Sequence, residues 1–152
     1  MKRVIVVDDV PEILTFFRAA AGRVKVTPFT LETYSDPREA VAAIHRAPSD
    51  VIISDFRMPH FSGLELLHEG FVHSSEAKRI LMSGYNELPA EPALVENAHV
   101  DAYLSKPLEL QAVVRLLHAA LADGPYLADW TTKAREIEQA ARKSGLRIDL
   151  HG

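Results

Sequence analysis

The sequence predicts an α/β protein built on a doubly wound parallel sheet, in which five strands alternate with five helices. Short β-branched and apolar runs such as residues 3–7 and 51–54 are typical of strands buried on both faces. Helical spacing of apolar residues follows each run. This alternation favours parallel strands joined by right-handed crossovers. A chain of 152 residues is long enough for one such domain with some excess.

Two neighbouring acids, Asp8 and Asp9, follow the first predicted strand at residues 3–7. The first helix is predicted to begin at Pro11 and to stop at Gly22, because proline is favoured in the first helical turn and glycine just beyond the last. Its apolar face comprises Ile13, Leu14, Phe16, Phe17 and Ala20.

Asp55 stands at the end of the third predicted strand, residues 51–54. The second strand, residues 29–34, alternates in hydropathy, and a helix begins after it at Asp36-Pro37. The buried stripe of that helix comprises Ala40, Val41 and Ile44. This stretch alone leaves two interpretations of Asp55: a ligand-binding acid at the carboxyl edge of the sheet, or a helix cap or turn residue.

The second half of the chain continues the alternation of strands and helices. A short helix is predicted after Gly63, a fourth strand at residues 79–82 and a fifth at residues 102–105. The helix within residues 86–99 contains two prolines, so it is expected to begin near Glu91 and to be short. The last helix has an apolar stripe made of Leu110, Val113, Val114, Leu117 and Leu121.

Residues 124–152 are predicted to form an extension of a domain that comprises residues 1–123, because the last helix of that domain stops at Gly124-Pro125. A further helix is expected at about residues 129–143. Its apolar residues have the spacing of a coiled-coil seam or of a packed helix, and they are Trp130, Ala134, Ile137 and Ala141. The extension is therefore either a helix folded back on its own domain or a dimerisation or linker helix.

Composition excludes several classes of function. The net charge of −4 and the absence of a basic cluster argue against nucleic-acid binding. No apolar run approaches the roughly 20 residues of a membrane span, and no signal peptide is recognised. The absence of cysteine excludes a disulfide framework and is consistent with a cytoplasmic location. The seven histidines show no spacing typical of zinc sites, so most are expected to be solvated.

Five residues with reactive side chains are expected together at one edge of the sheet, where parallel strands end. They are Asp8, Asp9, Asp55, Ser83 and Lys106. Each residue alone could be a helix cap, a turn residue or a plain surface residue. However, such an explanation would have to hold independently for all five residues at the same edge, so a shared site is favoured. Crowded carboxylates repel one another unless a cation neutralises them, and Mg²⁺ prefers oxygen ligands. The hydroxyl and the ammonium suit an anionic phosphoryl group, and a carboxylate can itself be phosphorylated.

These residues stand in the stretches VIVVDDVPEI, VIISDFRMP, ILMSGY and DAYLSKP. At these spacings the chain resembles the receiver domain of bacterial two-component response regulators, over roughly residues 3–122. The resemblance implies a flavodoxin-like fold with strand order 2-1-3-4-5. It also implies a phosphorylation-dependent signalling module that receives its phosphoryl group from a sensor histidine kinase or a histidine phosphotransfer protein. The module would pass its signal to a downstream protein target. A second copy of this chain, in a homodimer, is the other expected partner.

The resemblance further implies a phosphoacceptor and a metal site. Asp55 would be the phosphoacceptor and Mg²⁺ the cofactor. The metal site would consist of Asp8, Asp9, Asp55 and the backbone carbonyl of Arg57. In that site, Asp9 and the Arg57 carbonyl would be direct ligands, and Asp8 would act through water.

A switch follows from the same resemblance. Lys106 would pair with a phosphoryl oxygen, next to a cis peptide bond at Pro107, and Ser83 would bind another phosphoryl oxygen. Tyr103 would be the aromatic residue that moves inward on activation. The signalling surface would be the region of residues 83–106.

Two other functions would use part of the same residue set. A pseudo-receiver would keep the fold and bind partners without phosphorylation, although the intact set of five residues argues against it. A phosphatase of the haloacid-dehalogenase type would need a second acid two residues after its aspartate, where this chain has Arg57. The protein is therefore not expected to be an enzyme, beyond catalysing its own phosphorylation and dephosphorylation.

Overall fold

A computed structural model describes residues 1–84 and 97–122. The strands are β1 (Lys2–Val7), β2 (Phe29–Tyr34), β3 (Val51–Asp55), β4 (Lys78–Ser83) and β5 (Ala102–Ser105). The helices are α1 (Pro11–Ala21), α2 (Pro37–Arg46), α3 (Gly63–His73) and α4 (Leu110–Leu121). Most of the helix predicted within residues 86–99 lies outside the described residues. So does the extension of residues 124–152, including the helix predicted at 129–143.

The five strands form one parallel sheet in the order β2-β1-β3-β4-β5. This order confirms the predicted doubly wound topology: β2 lies on one side of β1, and β3, β4 and β5 follow one another on its other side. The register places Asp55 beside Met82 and Ser83 beside Ser105. The carboxyl ends of the central strands therefore lie side by side at one edge.

Helices cover both faces of the sheet, because successive side chains of a strand point to opposite faces. Val4 and Val6 of β1 belong to a core cluster that includes buried residues of α1 and α4. Ile5 and Val7, the alternate positions, belong to a second cluster with buried residues of α2 and α3. β1, β3 and β4 are thus buried on both sides, as their unbroken apolar runs predict, whereas β2 at the edge of the sheet is only partly buried.

The starts of the helices follow local rules. Asp36 caps α2 by accepting a hydrogen bond from the Arg38 backbone N–H at 2.9 Å. Ser62 caps α3 by accepting one from the Glu65 N–H at 3.2 Å. α1 begins at Pro11, as predicted. Among the residues that the structure describes, no helix has both the length and the apolar character needed to cross a membrane.

A buried arginine anchors the amino end of β4. Arg79 is 5% exposed, and its guanidinium donates hydrogen bonds to the backbone carbonyls of Ala77, at 2.7 Å, and His99, at 2.9 Å. Its backbone N–H donates to the Asp101 carboxylate at 2.8 Å. Burial lowers the pKa of Arg79, although the charges of Asp101 and Glu76 act in the opposite direction. Arg79 therefore ties the segment before β5 to β4.

Candidate phosphoryl-acceptor site

Three carboxylates meet where the central strands end. Asp55 is the last residue of β3 and is buried, Asp8 follows β1 and is fully buried, and Asp9 beside it is exposed. Each of the three offers a carboxylate oxygen, and these oxygens lie within 4.8 Å of one another. The parallel sheet brings them together because it aligns the ends of neighbouring strands.

Lys106 connects these acids to the end of β5. Its ammonium nitrogen lies 2.8 Å from Oδ2 of Asp8 and 2.9 Å from Oδ1 of Asp55. Its backbone N–H donates to the carbonyl of Ser83 at 2.9 Å, and its peptide bond to Pro107 is cis, as predicted. One lysine thus contacts two of the three acids and the end of β4.

The site carries an excess of negative charge, since one ammonium faces three carboxylates. Burial raises the pKa of Asp55, and the charges of Asp8 and Asp9 raise it further, against the lowering effect of Lys106. Burial by itself lowers the pKa of Lys106, but its hydrogen bonds and charge interactions with Asp8 and Asp55 outweigh burial and raise it. Such a site favours the binding of a cation.

The surroundings of Asp55 exclude one interpretation of this residue, the cap of the next helix. α3, the next helix along the chain, is capped by Ser62, and the carboxylate of Asp55 faces Lys106.

The backbone of Asp55 touches the start of α3 at Gly63, where a Cβ atom would lie 2.0 Å from the Asp55 carbonyl oxygen. The Gly63 N–H donates to the carbonyl of Phe56 at 2.9 Å. Only glycine allows this close approach.

Asp8 contacts both the turn before α1 and Lys106, although it is not the cap of α1, which begins after Val10 without a side-chain cap. Its Oδ1 accepts a hydrogen bond from the Val10 N–H at 2.9 Å, which orders the turn into α1. Its Oδ2 contacts Lys106 at 2.8 Å. The residue therefore shapes the chain locally and also contributes charge to the site.

The other predicted site residues lie around this centre. Ser83 is buried at the end of β4. Tyr103 is partly buried and packs against the core cluster of α2 and α3. Arg57 is exposed, with its guanidinium carbon 5.6 Å from the centroid of the Phe56 ring. The roles of Ser83 and Tyr103 in switching, and of the Arg57 carbonyl as a metal ligand, stay predictions.

Comparison with known proteins identifies the family. The family model for the response regulator receiver domain matches residues 4–118. The chain belongs to this family. The matched range contains the three acids, Ser83 and Lys106, so the residues of the site lie within the receiver domain.

Relatives of this receiver domain include several transcriptional regulators. It is 32% identical over 117 residues to the DNA-binding transcriptional regulator NtrC of Salmonella typhimurium, which covers 76% of this chain and 24% of NtrC. It is 29% identical over 153 residues to the transcriptional regulatory protein KdpE of Mycobacterium tuberculosis, which covers 100% of this chain and 62% of KdpE. The chain thus spans about a quarter of NtrC and less than two thirds of KdpE.

Solved structures support the same fold. The chemotaxis protein CheY4 of Vibrio cholerae matches with a TM-score of 0.66 at 25% identity, over 80% of this chain and 99% of that one. A signal receiver domain of an HD domain-containing protein from Pseudomonas fluorescens also matches with a TM-score of 0.66 at 25% identity, over 79% and 94%. A protein from Neptuniibacter caesariensis matches with a TM-score of 0.70 at 23% identity, over 97% and 96%, which shows the fold alone.

Sequence reasoning missed one residue that shapes the site. Gly63 is visible in the sequence as a helix signal, but its contact with the Asp55 carbonyl appears only in the folded chain. A signal was present: the glycine directly follows the α3 cap, Ser62. Glycine is costly inside a helix, so its presence at such a position indicates a close backbone approach.

Proposed function

We propose that this receiver domain is a phosphorylation-dependent switch in which Asp55 accepts a phosphoryl group. The observation that carries the proposal is the arrangement of two buried acids, one exposed acid and one lysine at the ends of β1, β3 and β5. The donor would be the phosphohistidine of a sensor kinase or of a histidine phosphotransfer protein. Family membership supports this assignment.

The donor set fits a hard divalent cation. Three carboxylates with oxygens within 4.8 Å of one another form an all-oxygen site. The pKa of Asp55 is raised first by burial and then by the charges of Asp8 and Asp9, so its carboxylate gains from a cation. Asp8, Asp9, Asp55 and the Arg57 carbonyl would hold Mg²⁺. When bound, Mg²⁺ would neutralise charge on the carboxylates and on the incoming phosphoryl oxygens.

The reaction is a transfer of one phosphoryl group between two side chains. A carboxylate oxygen of Asp55 forms the new bond to phosphorus, while the bond from phosphorus to the imidazole nitrogen of the donor breaks. The imidazole recovers its electron pair and takes a proton from solvent. Lys106 already lies 2.9 Å from Asp55, so its ammonium is in place to neutralise a phosphoryl oxygen. Ser83, at the end of β4, would bind another oxygen.

Phosphorylation would alter the contacts of Lys106 and Ser83. In the structure described here the ammonium is shared between Asp8 and Asp55, and the Lys106 backbone is bonded to Ser83. A phosphoryl group offers both side chains a new anionic partner, which favours a different arrangement of the surface formed by residues 83–106. Tyr103, on β5 within that surface, is the residue expected to move inward.

The output would pass through protein contacts. NtrC is named as a DNA-binding regulator, but this chain spans only 24% of it. The chain itself has a net charge of −4 and lacks a basic cluster. We therefore assign two partners: a kinase or phosphotransfer protein that supplies the phosphoryl group, and a downstream protein that receives the signal. Homodimerisation through residues 124–152 is one way in which the signal would be passed on.

The test is phosphorylation of the purified chain by acetyl phosphate, and binding of beryllofluoride, each with and without Mg²⁺. Intact mass should show one added phosphoryl group on the native chain in the presence of Mg²⁺, and none on Asp55→Asn. Asp36→Asn is the matched control, because it removes an acid at the start of α2 and keeps a residue that caps helices well.

Two outcomes would contradict the proposal. Equal incorporation in Asp55→Asn and in the native chain would show that another residue is phosphorylated. A native chain that binds no beryllofluoride with Mg²⁺ would favour the pseudo-receiver instead.

A further inference from the structure

A second cluster of potential metal ligands lies on α2 and α3, away from the acidic site. His45 is in the last turn of α2, and Glu69 and His73 lie one turn apart near the end of α3. Nε2 of His45 lies 2.9 Å from Oε2 of Glu69, and Nε2 of His73 lies 3.6 Å from the same oxygen. The donor atoms of the three side chains are all within 4.8 Å of one another.

The imidazole rings of His45 and His73 lie close together. Their ring centroids are 3.9 Å apart with an angle of 39° between the rings, and both nitrogens face one carboxylate oxygen. Bonds of about 2.0–2.2 Å from a tetrahedral metal to its ligands would separate those ligands by about 3.4 Å. The observed separations of 2.9 and 3.6 Å lie on either side of that value. For all three to bind one ion, the two rings must also move apart, because imidazoles that point at one tetrahedral metal have centroids about 5 Å apart.

We propose that His45, Glu69 and His73 form a binding site for a divalent transition metal ion of the zinc class. Two imidazole nitrogens and one carboxylate oxygen are a ligand set that zinc accepts, with water in the remaining position. The acidic site offers only oxygen ligands, which suit Mg²⁺. The two sites therefore differ in the chemistry of the ion that each prefers.

The metal would join α2 to α3 at the end of α3 that is far from Asp55. α3 begins at Gly63, against the Asp55 carbonyl, and His73 is its last residue. Ten residues of helix separate these ends by about 15 Å. All three side chains are partly exposed, so an ion can reach them from solvent. Bound metal would stabilise the packing of α2 against α3, because an ion that binds only the folded chain shifts the equilibrium towards the folded state.

The site can be tested by titrating ZnCl₂ into the full chain by calorimetry, with saturating Mg²⁺ present to occupy the acidic site. The native chain is expected to bind one zinc ion with this ligand set. Loss of an outer-shell contact alone weakens metal binding by about 10- to 100-fold, so loss of a ligand in His45→Gln or His73→Gln is expected to cost at least about tenfold. CoCl₂ should give visible absorption bands with the native chain and not with these variants.

His68→Gln is the matched control. His68 lies on α3 next to Glu69, but its Nδ1 lies 2.8 Å from the carbonyl oxygen of Asn97. This variant should bind zinc as the native chain does, and zinc should raise the melting temperature of both. Unchanged zinc affinity in His45→Gln and His73→Gln would overturn the proposal, as would an equal loss in His68→Gln. Beryllofluoride binding by each variant would establish that it is folded.

Discussion

Replacement of Gly63 by alanine is expected to destabilise the protein, because the new methyl group would collide with the backbone that carries Asp55. Its Cβ atom would lie 2.0 Å from the Asp55 carbonyl oxygen and 2.9 Å from the carbonyl carbon. Ordinary contact begins at 3.4 Å, so the start of α3 must move by about 1.4 Å relative to β3. Neither partner is a flexible side chain that could turn aside.

The size of the effect follows from two losses. Overpacking of this kind costs about 1–3 kcal/mol. The shift also strains the hydrogen bond from the Gly63 N–H to the Phe56 carbonyl, and a bond of that kind contributes about 0.5–1.5 kcal/mol. Alanine returns up to about 1 kcal/mol through its better helix propensity. The free energy of unfolding should therefore fall by about 1–3 kcal/mol.

The assay is equilibrium urea unfolding of the metal-free chain, followed by circular dichroism. Gly22→Ala is the matched control: Gly22 has a φ of −62°, which alanine adopts readily, and its Cβ would be 3.4 Å from the nearest atom. That variant should be unchanged or more stable by about 0.4–1 kcal/mol. If Gly63→Ala unfolds at the same urea concentration as Gly22→Ala, the contact with Asp55 does not constrain residue 63 and the reasoning is wrong.

Two further predictions concern buried charge. Because the pKa of Asp55 is raised in the folded chain, its ionisation weakens folding as the pH rises through that pKa. Metal-free Asp55→Asn should therefore melt above the native chain at pH 7, and the difference should shrink as the pH falls through the raised pKa and be gone below about pH 4; an unchanged or lower melting temperature at pH 7 would contradict this. Arg79→Met should lower the free energy of unfolding in urea by about 2–4 kcal/mol, because the carbonyls of Ala77 and His99 lose their hydrogen-bond donor. Equal stability of Arg79→Met and the control Lys78→Met would refute this role of the guanidinium.

β1, β3 and β4 were predictable because burial on both faces requires continuous apolar runs, and β2 was predictable from its alternating hydropathy. β2 and β5 have the predicted bounds, residues 29–34 and 102–105. β3 and β4 are longer than predicted, since β3 takes in Asp55 and β4 runs from Lys78 to Ser83. Pairing with neighbouring strands sets these ends, and Asp55 is paired with Met82. Local hydropathy carries no information about such pairing.

The candidate site was predictable in composition but not in detail. Parallel strands end at a common edge, so the convergence of Asp8, Asp55 and Lys106 follows from the alternation of strands and helices. The sharing of one ammonium between two acids depends on side-chain positions in three dimensions. The contact of Gly63 with the Asp55 carbonyl depends on how closely α3 packs on β3.

The sequence by itself predicted the doubly wound parallel sheet, because hydropathy period is a local property. Its resemblance to receiver domains, carried by the strand-end residues, predicted the strand order and the family. The tertiary structure alone decided which distant side chains touch. The spacing of Glu69 and His73 on one helix was visible, but His45 is 24 residues from Glu69 along the chain. Only the packing of α2 against α3 brings it to the same carboxylate oxygen, so two histidines that are exposed, as expected, also form a cluster with Glu69.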